Sequence, residues 1–187
     1  MVKFSSWLYK ISSNWVTLSA LILFLLFTAL VLPRQTRQAE QYSSDLGSPD
    51  LSFYYSAQTL YDLAEQYGES GRDAYVYARF TFDLVWPLVY TTFLVITISW
   101  VLARLIPSGN QSRLLNLTPF TAMVFDFLEN IATSVVMVRY PNQIPIIANL
   151  APIFTMVKWL LVATSISVLL IGLFLLVWRW LARKISK

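Results

Sequence analysis

Apolar residues along this chain fall into four long blocks rather than into short alternating runs. A helix needs about 20 mostly apolar residues to cross a hydrocarbon core of about 30 Å. The first block runs from Trp15 to Leu32 without a charge, after a polar Ser12-Ser13-Asn14 start and before Pro33. The second runs from about Leu84 to Ile106. The third opens at Thr118-Pro119, an expected N-cap followed by proline at the first helical position, and ends near Arg139-Tyr140-Pro141. The fourth runs from about Pro152 to Trp180. Lys3 and Lys10 precede the first block as they would in a signal peptide. Its apolar run exceeds the usual length of about 7–15 residues, and no small-x-small cleavage site precedes Pro33, so an uncleaved anchor is expected.

Residues 33–83 form the long excursion between the first two blocks. Gln35 to Pro49 is polar and turn-rich and predicts a loop. From Ser56 to Tyr67, apolar residues at Ala57, Leu60, Tyr61 and Ala64 have helical spacing, and Gly68 is a natural stop. Ser70 with Asp73 resembles a capping box, starting a helix that runs toward the second span. Tyr54, Tyr55, Tyr61, Tyr67, Tyr75 and Tyr77 enrich this region in amphipathic aromatics. Two readings stand: short helices lying on the membrane with tyrosines at headgroup level, or a lid over an outward-facing site.

Composition agrees with a lipid environment. Of 187 residues, 57% are hydrophobic and 13% charged, against about 45–50% and about 25% in soluble domains. There is no cysteine and no histidine. That excludes disulfides, thiolate metal sites and cysteine nucleophiles, and removes the commonest general base. The net charge of +4 is a topology signal. Lys3, Lys10, Arg104, Arg113, Arg179, Arg183, Lys184 and Lys187 fall on one side of the spans with no acidic residue. Arg34, Arg37, Arg72, Arg79 and Arg139 share the other with Glu40, Asp45, Asp50, Asp62, Glu65, Glu69, Asp73 and Asp83. The positive-inside rule then places both termini in the cytoplasm of a cell-membrane protein, and gives no reason to expect a nucleic-acid partner. Trp7, Trp15, Trp100, Trp178 and Trp180 near the inner boundary and Trp86 near the outer one fit interfacial belts.

Asp126 and Glu129 are the costly residues. A carboxylate at the bilayer centre costs on the order of 3 kcal/mol or more. At 100° per residue, Pro119, Ala122, Asp126, Glu129, Asn130, Thr133 and Met137 share one face of the third span. Val124, Phe127, Leu128, Ile131 and Val135 share the other, so the polar face is expected to look toward neighbouring helices. In the second span Asp83, Pro87, Tyr90, Leu94 and Thr97 share a face, with Thr91 beside it. Counting depth at about 1.5 Å per residue from Pro119, Arg104 and Trp178 puts Glu129 near mid-membrane. Thr164, Ser165 and Ser167 then fall level with Asn130 and Thr133, and Gly172 falls near Asp126 as a point of close packing. The same count sets Lys158 at the outer boundary, paired with Asp83 rather than Glu129.

The expected polar pocket is therefore Asp83, Tyr90, Asp126, Glu129, Asn130, Thr133 and Lys158. Three roles compete for it. The acids hold the bundle together through interhelical hydrogen bonds; or they centre a pocket for a ligand, an ion or a proton; or one of them, Asp126 or Glu129, is a catalytic acid or base. Oxygen ligands at Asp126, Glu129 and Asn130 suit a hard cation, but one helix offers too few, and no metal or cofactor is expected. No dinucleotide or phosphate loop, Ser-His-Asp set or zinc motif occurs. The sequons at Asn110 and Asn116 lie on the predicted cytoplasmic loop, and no internal repeat suggests an inverted-repeat transporter.

The run Asp83-Leu-Val-Trp-Pro87-Leu-Val-Tyr90, with Phe125-Asp126-Phe-Leu-Glu129-Asn130 downstream, resembles an uncharacterised family of small bacterial four-span integral membrane proteins. Gly71-Arg72 and the Lys158-Trp159 pair extend the resemblance from about Tyr55 to Leu176. It implies the four-span layout and carries no activity with it.

The sequence thus predicts an all-α polytopic membrane protein, a four-transmembrane-helix bundle with one or two short extramembrane helices. The expected role is a binding or accessory subunit, with the lipid bilayer and a membrane-protein or lipid ligand as partners. The alternative is a small intramembrane enzyme acting on a lipid or isoprenoid, with Tyr90 supporting the acids.

Overall fold

The computed structural model describes residues 2–43, 47–49 and 52–185, with the side chains of residues 41–43 left aside. Asp45, Asp50 and Lys187 of the charge pattern lie outside the described residues. The described chain is all-α. Its helices are α1 (Val2–Ile11), α2 (Asn14–Leu30), α3 (Leu32–Ser43), α4 (Ala57–Arg79), α5 (Phe82–Leu105), α6 (Thr118–Arg139) and α7 (Pro145–Ile185), with a 3-10 helix at Gln111–Leu117. Four stretches are long and apolar enough to cross a membrane: Asn14–Glu40, Ala57–Leu105, Gln111–Arg139 and Pro145–Ile185. This is the all-α, four-span class that the hydrophobic pattern predicts.

Several boundaries differ from expectation. Much of the predicted loop after Gln35 is helix α3, because Pro33 sits in a first turn, where its missing N–H costs nothing. Thr118 does not cap α6 from an extended conformation. It has helical angles and continues from the 3-10 helix, whose own cap is Asn110, accepting from Ser112 N at 2.8 Å. α7 begins at Pro145, seven residues before the expected start. Pro145 fits a first turn and Pro152 lies inside the helix, as membrane helices allow when neighbouring groups satisfy the freed carbonyl.

The chain divides into two units, and α2, α5, α6 and α7 each contribute to both. The first comprises Met1–Leu25, Val89–Thr121 and Leu160–Lys187. Helix α1, not anticipated in the sequence, is tied down here by buried polar bonds. Ser5 Oγ donates to Asn116 Oδ1 at 2.7 Å, and Asn116 Nδ2 donates to Ser99 Oγ at 2.9 Å. Asn116 is fully buried, so each bond satisfies a group that would otherwise be desolvated without a partner. Ser12 and Ser13 break the chain before α2, where Asn14 Oδ1 accepts from Trp100 Nε1 and Arg104 Nη2 at 2.8 and 2.7 Å.

Tyr9 completes the latch. Its hydroxyl donates to Arg113 O at 2.7 Å, and the Arg113 guanidinium lies 4.6 Å from the ring centroid. Burial pushes the Tyr9 hydroxyl up to about 12, against a smaller lowering by Arg113. The folded state therefore holds its proton while the unfolded chain loses it above about pH 10. The contribution of Tyr9 to docking α1 is complete below pH 10 and is lost as pH rises toward 12. Limited proteolysis within α1 should accelerate across that window in the wild type. Tyr9→Phe should be cut at a rate independent of pH there, and an equal acceleration in both would refute the assignment.

Close packing at Gly172 has a different partner from the one expected. A Cβ built on Gly172 would overlap Val101 Cγ1 of α5, a stiff and fully buried side chain. Gly172→Leu should cost about 2 kcal/mol, the overpacking penalty less the roughly 1 kcal/mol gained from helix propensity. The unfolding midpoint in mixed micelles measures this, and an unchanged midpoint would show that the helices separate freely.

The second unit comprises Leu26–Leu88 and Ala122–Trp159. Its core joins Tyr55, Leu60, Tyr61, Ala64, Tyr67 and Tyr75 from the α4 region to Ala132, Val136 and Met137 of α6 and Ala148 and Ala151 of α7. Gly68 breaks α4 with a positive φ of 64°, a conformation that favours glycine. The chain thereby turns from a first segment capped by Ser56, whose hydroxyl accepts from Thr59 N at 3.0 Å, into a second. The picture of tyrosines at headgroup level fails for four of the six. Tyr55, Tyr61, Tyr67 and Tyr75 are buried, whereas Tyr54 and Tyr77 are exposed. Small residues on α6 and α7 leave room for the rings, and hydrogen bonds engage the hydroxyls of Tyr55, Tyr61 and Tyr67. Tyr61 accepts from Ile144 N at 2.7 Å, Tyr67 donates to Gly47 O at 2.9 Å, and Thr155 Oγ1 donates to the Tyr55 hydroxyl at 3.2 Å.

Candidate functional site

The polar face of α6 is buried along its length. Ala122, Asp126, Glu129, Asn130, Thr133 and Met137 are all under 9% exposed, while Val124, Leu128 and Ile131 are exposed. The 3.6-residue period forces this division: a polar or small residue every third or fourth position makes one stripe, and lipid contact for its two acids would be the costlier arrangement.

Lys158 of α7 meets that stripe. Its ammonium lies 2.5 Å from Glu129 Oε2 and 3.6 Å from Asp126 Oδ1. Glu129 is 1% exposed and Lys158 is 6%. The Lys158 Nζ also lies 5.3 Å from the centroid of the Trp159 ring. This corrects the expected pairing of Lys158 with Asp83. Depth counted back from Trp178 assumed that Trp178 marks the inner boundary. α7 has 41 residues, about 60 Å of helix, or twice the hydrocarbon thickness, so Trp178 gives no such mark.

Asp83 finds its cation on the preceding helix. Arg79 Nη1 lies 2.9 Å from Asp83 Oδ2 across the short turn between α4 and α5. Arg79 is itself buried; its Nη2 donates to Ser48 Oγ at 3.1 Å and its guanidinium stacks 4.4 Å from the Tyr75 ring centroid. Asn130, next to Glu129 in the chain, reaches the start of α5. Its Nδ2 donates to Asp83 O at 3.3 Å, which holds α6 against the start of α5. Asn130 Oδ1 is buried and has no hydrogen-bond partner among the described residues.

Other expected members are placed differently. Thr133 turns its hydroxyl back to Glu129 O at 2.9 Å, and so satisfies its own helix rather than lining a polar space. Thr164 and Ser165 do the same, at 2.8 and 2.7 Å to Leu160 O and Leu161 O, and Ser167 is exposed. Tyr90 is buried on α5 in the first unit, with Thr91 and Leu94. Arg79, Thr155 and Ser134 were not singled out in the sequence. The four-residue spacing from Arg79 to Asp83 was a readable signal, hidden by starting the span at Leu84. Among the described residues no group of three or more acids, cysteines or histidines could hold a metal ion.

In the ion pairs among the described residues, three carboxylates share two cations. Arg79 and Asp83 form one neutral pair. Asp126 and Glu129 share Lys158, two carboxylates to one ammonium. With every group charged, these five side chains together carry one net negative charge. Chemically, two carboxylates around one ammonium are suited to accept one positive charge.

Comparison with family models, with curated proteins and with solved structures finds no match to this chain.

Proposed function

We propose that this multi-pass membrane protein is a membrane-embedded binding or accessory subunit whose Asp126–Glu129–Lys158 centre takes up a single positive charge, a proton or a small monovalent cation. The observation that carries the reading is the convergence of two carboxylates on one ammonium in a buried cluster. Structural glue alone would be served as well by a one-to-one pair, because interhelical polar contacts contribute on average about 0.6 kcal/mol. The asymmetry of basic residues supports a cytoplasmic location for both ends, in a cell membrane. The resemblance to small bacterial four-span proteins supports the same layout.

Electrometry on proteoliposomes adsorbed to a solid-supported membrane tests it. A jump in proton or sodium concentration should displace charge in the wild type. Asp126→Asn keeps the Lys158–Glu129 pair and removes the second carboxylate, and should abolish the displacement while the protein stays monodisperse. No displacement from the wild type with either ion, or an equal one from Asp126→Asn, would refute the proposal.

A further inference from the structure

A groove of about 300 Å³ runs along the second unit, lined by Val76 and Phe80 at the end of α4 and by Ile131, Ser134, Val135, Val138 and Arg139 of α6. Phe80, Ile131 and Val138 are exposed, which suits walls that meet acyl chains. Two polar groups interrupt this apolar lining. Ser134 is 3% exposed, and among the described residues its hydroxyl has no hydrogen-bond partner. Arg139 is the last residue of α6, exposed, at the end of the third span, where a guanidinium reaches the headgroup layer. No acidic side chain lines the groove.

We infer that this groove binds one anionic diacyl phospholipid, with an acyl chain along Ile131, Val135 and Val138 and its phosphate on Arg139. The buried Ser134 hydroxyl then donates to an ester carbonyl. Five residues separate Ser134 from Arg139, about 7 Å of helix rise, and in a glycerophospholipid the esters likewise lie a few bonds deeper than the phosphate. Charge selects the headgroup. A lone arginine with no acid beside it attracts an anionic lipid, whereas in a zwitterionic one the ammonium offsets the attraction. A chain in the groove and a donor for its ester separate this site from general wetting by lipid, which needs neither.

Native mass spectrometry of the full-length protein, delipidated in neutral detergent, tests the inference with phosphatidylglycerol against phosphatidylcholine. The wild type should retain phosphatidylglycerol about fivefold better, the scale of one basic residue at a membrane surface. Arg139→Gln, an exposed position, should remove that preference and leave the weaker binding of phosphatidylcholine unchanged. Ile131→Trp fills the groove from its exposed rim and should reduce both lipids. Soluble glycerol phosphate should displace neither. The inference is overturned by a wild type without preference, by a preference that survives Arg139→Gln, by lipid retention untouched in Ile131→Trp, or by displacement with glycerol phosphate.

Discussion

Replacing Lys158 with methionine should destabilise the protein by about 3–5 kcal/mol, the range for removing one partner of a buried ion pair. The side chains have similar length, so packing around α7 is largely kept and the change isolates the charge. What remains is Glu129, fully buried, and Asp126, nearly so, with the ammonium gone from between them. Recovery follows the same logic. Glu129→Gln in the Lys158→Met background should regain much of the loss, and Asp126→Asn added to both should regain more, because neutral groups of the same shape need no counter-ion. Unfolding in mixed micelles, arranged as a double-mutant cycle, measures the coupling. A Lys158→Met variant as stable as the wild type would mean that the acids do not rely on this ammonium.

The second large effect is expected far from any span-centre charge. Tyr75→Ala should cost about 3–5 kcal/mol, as for other large aromatics truncated in a core. Tyr75 is fully buried, 5.9 Å from the Tyr67 ring centroid, and carries the Arg79 guanidinium on its face. Its loss should loosen Arg79, and through Arg79 the Asp83 pair. Tyr75→Phe keeps both ring contacts and should cost less than about 1.5 kcal/mol, the worth of one hydrogen bond. Hydrogen exchange over α4 reads the difference. Equal protection in the alanine variant and the wild type would show that α4 is held by other contacts.

The contrast between α6 and α4 shows what the sequence could reveal. On α6 the acids, the amide and the small residues repeat at helical period against a purely apolar opposite face, so the buried stripe could be read directly. Helix α4 has the composition of a surface segment, with tyrosines, glutamates and arginines mixed. Only the tertiary fit shows that four tyrosines enter a core, since that depends on Ala132, Ala148 and Ala151 being small on two distant helices. The partner of Lys158 failed for a related reason. Helical phase follows from sequence, but axial register between helices needs a fixed reference, and an α7 that overruns the membrane supplies none. The α1 latch was illegible because Asn116 belongs to no hydrophobic pattern, and its value lies wholly in partners 17 and 111 residues away.

That last separation has a consequence for biogenesis. At a synthesis rate of about 5–20 residues per second, the ribosome makes Asn116 on the order of ten seconds after Ser5. For that interval α1 exists without its anchor, as a short basic amphipathic helix bearing Lys3, Lys10, Phe4 and Trp7. Such a segment rests at the lipid headgroups. There α1 waits beside the first span until Asn116 is made and secures it.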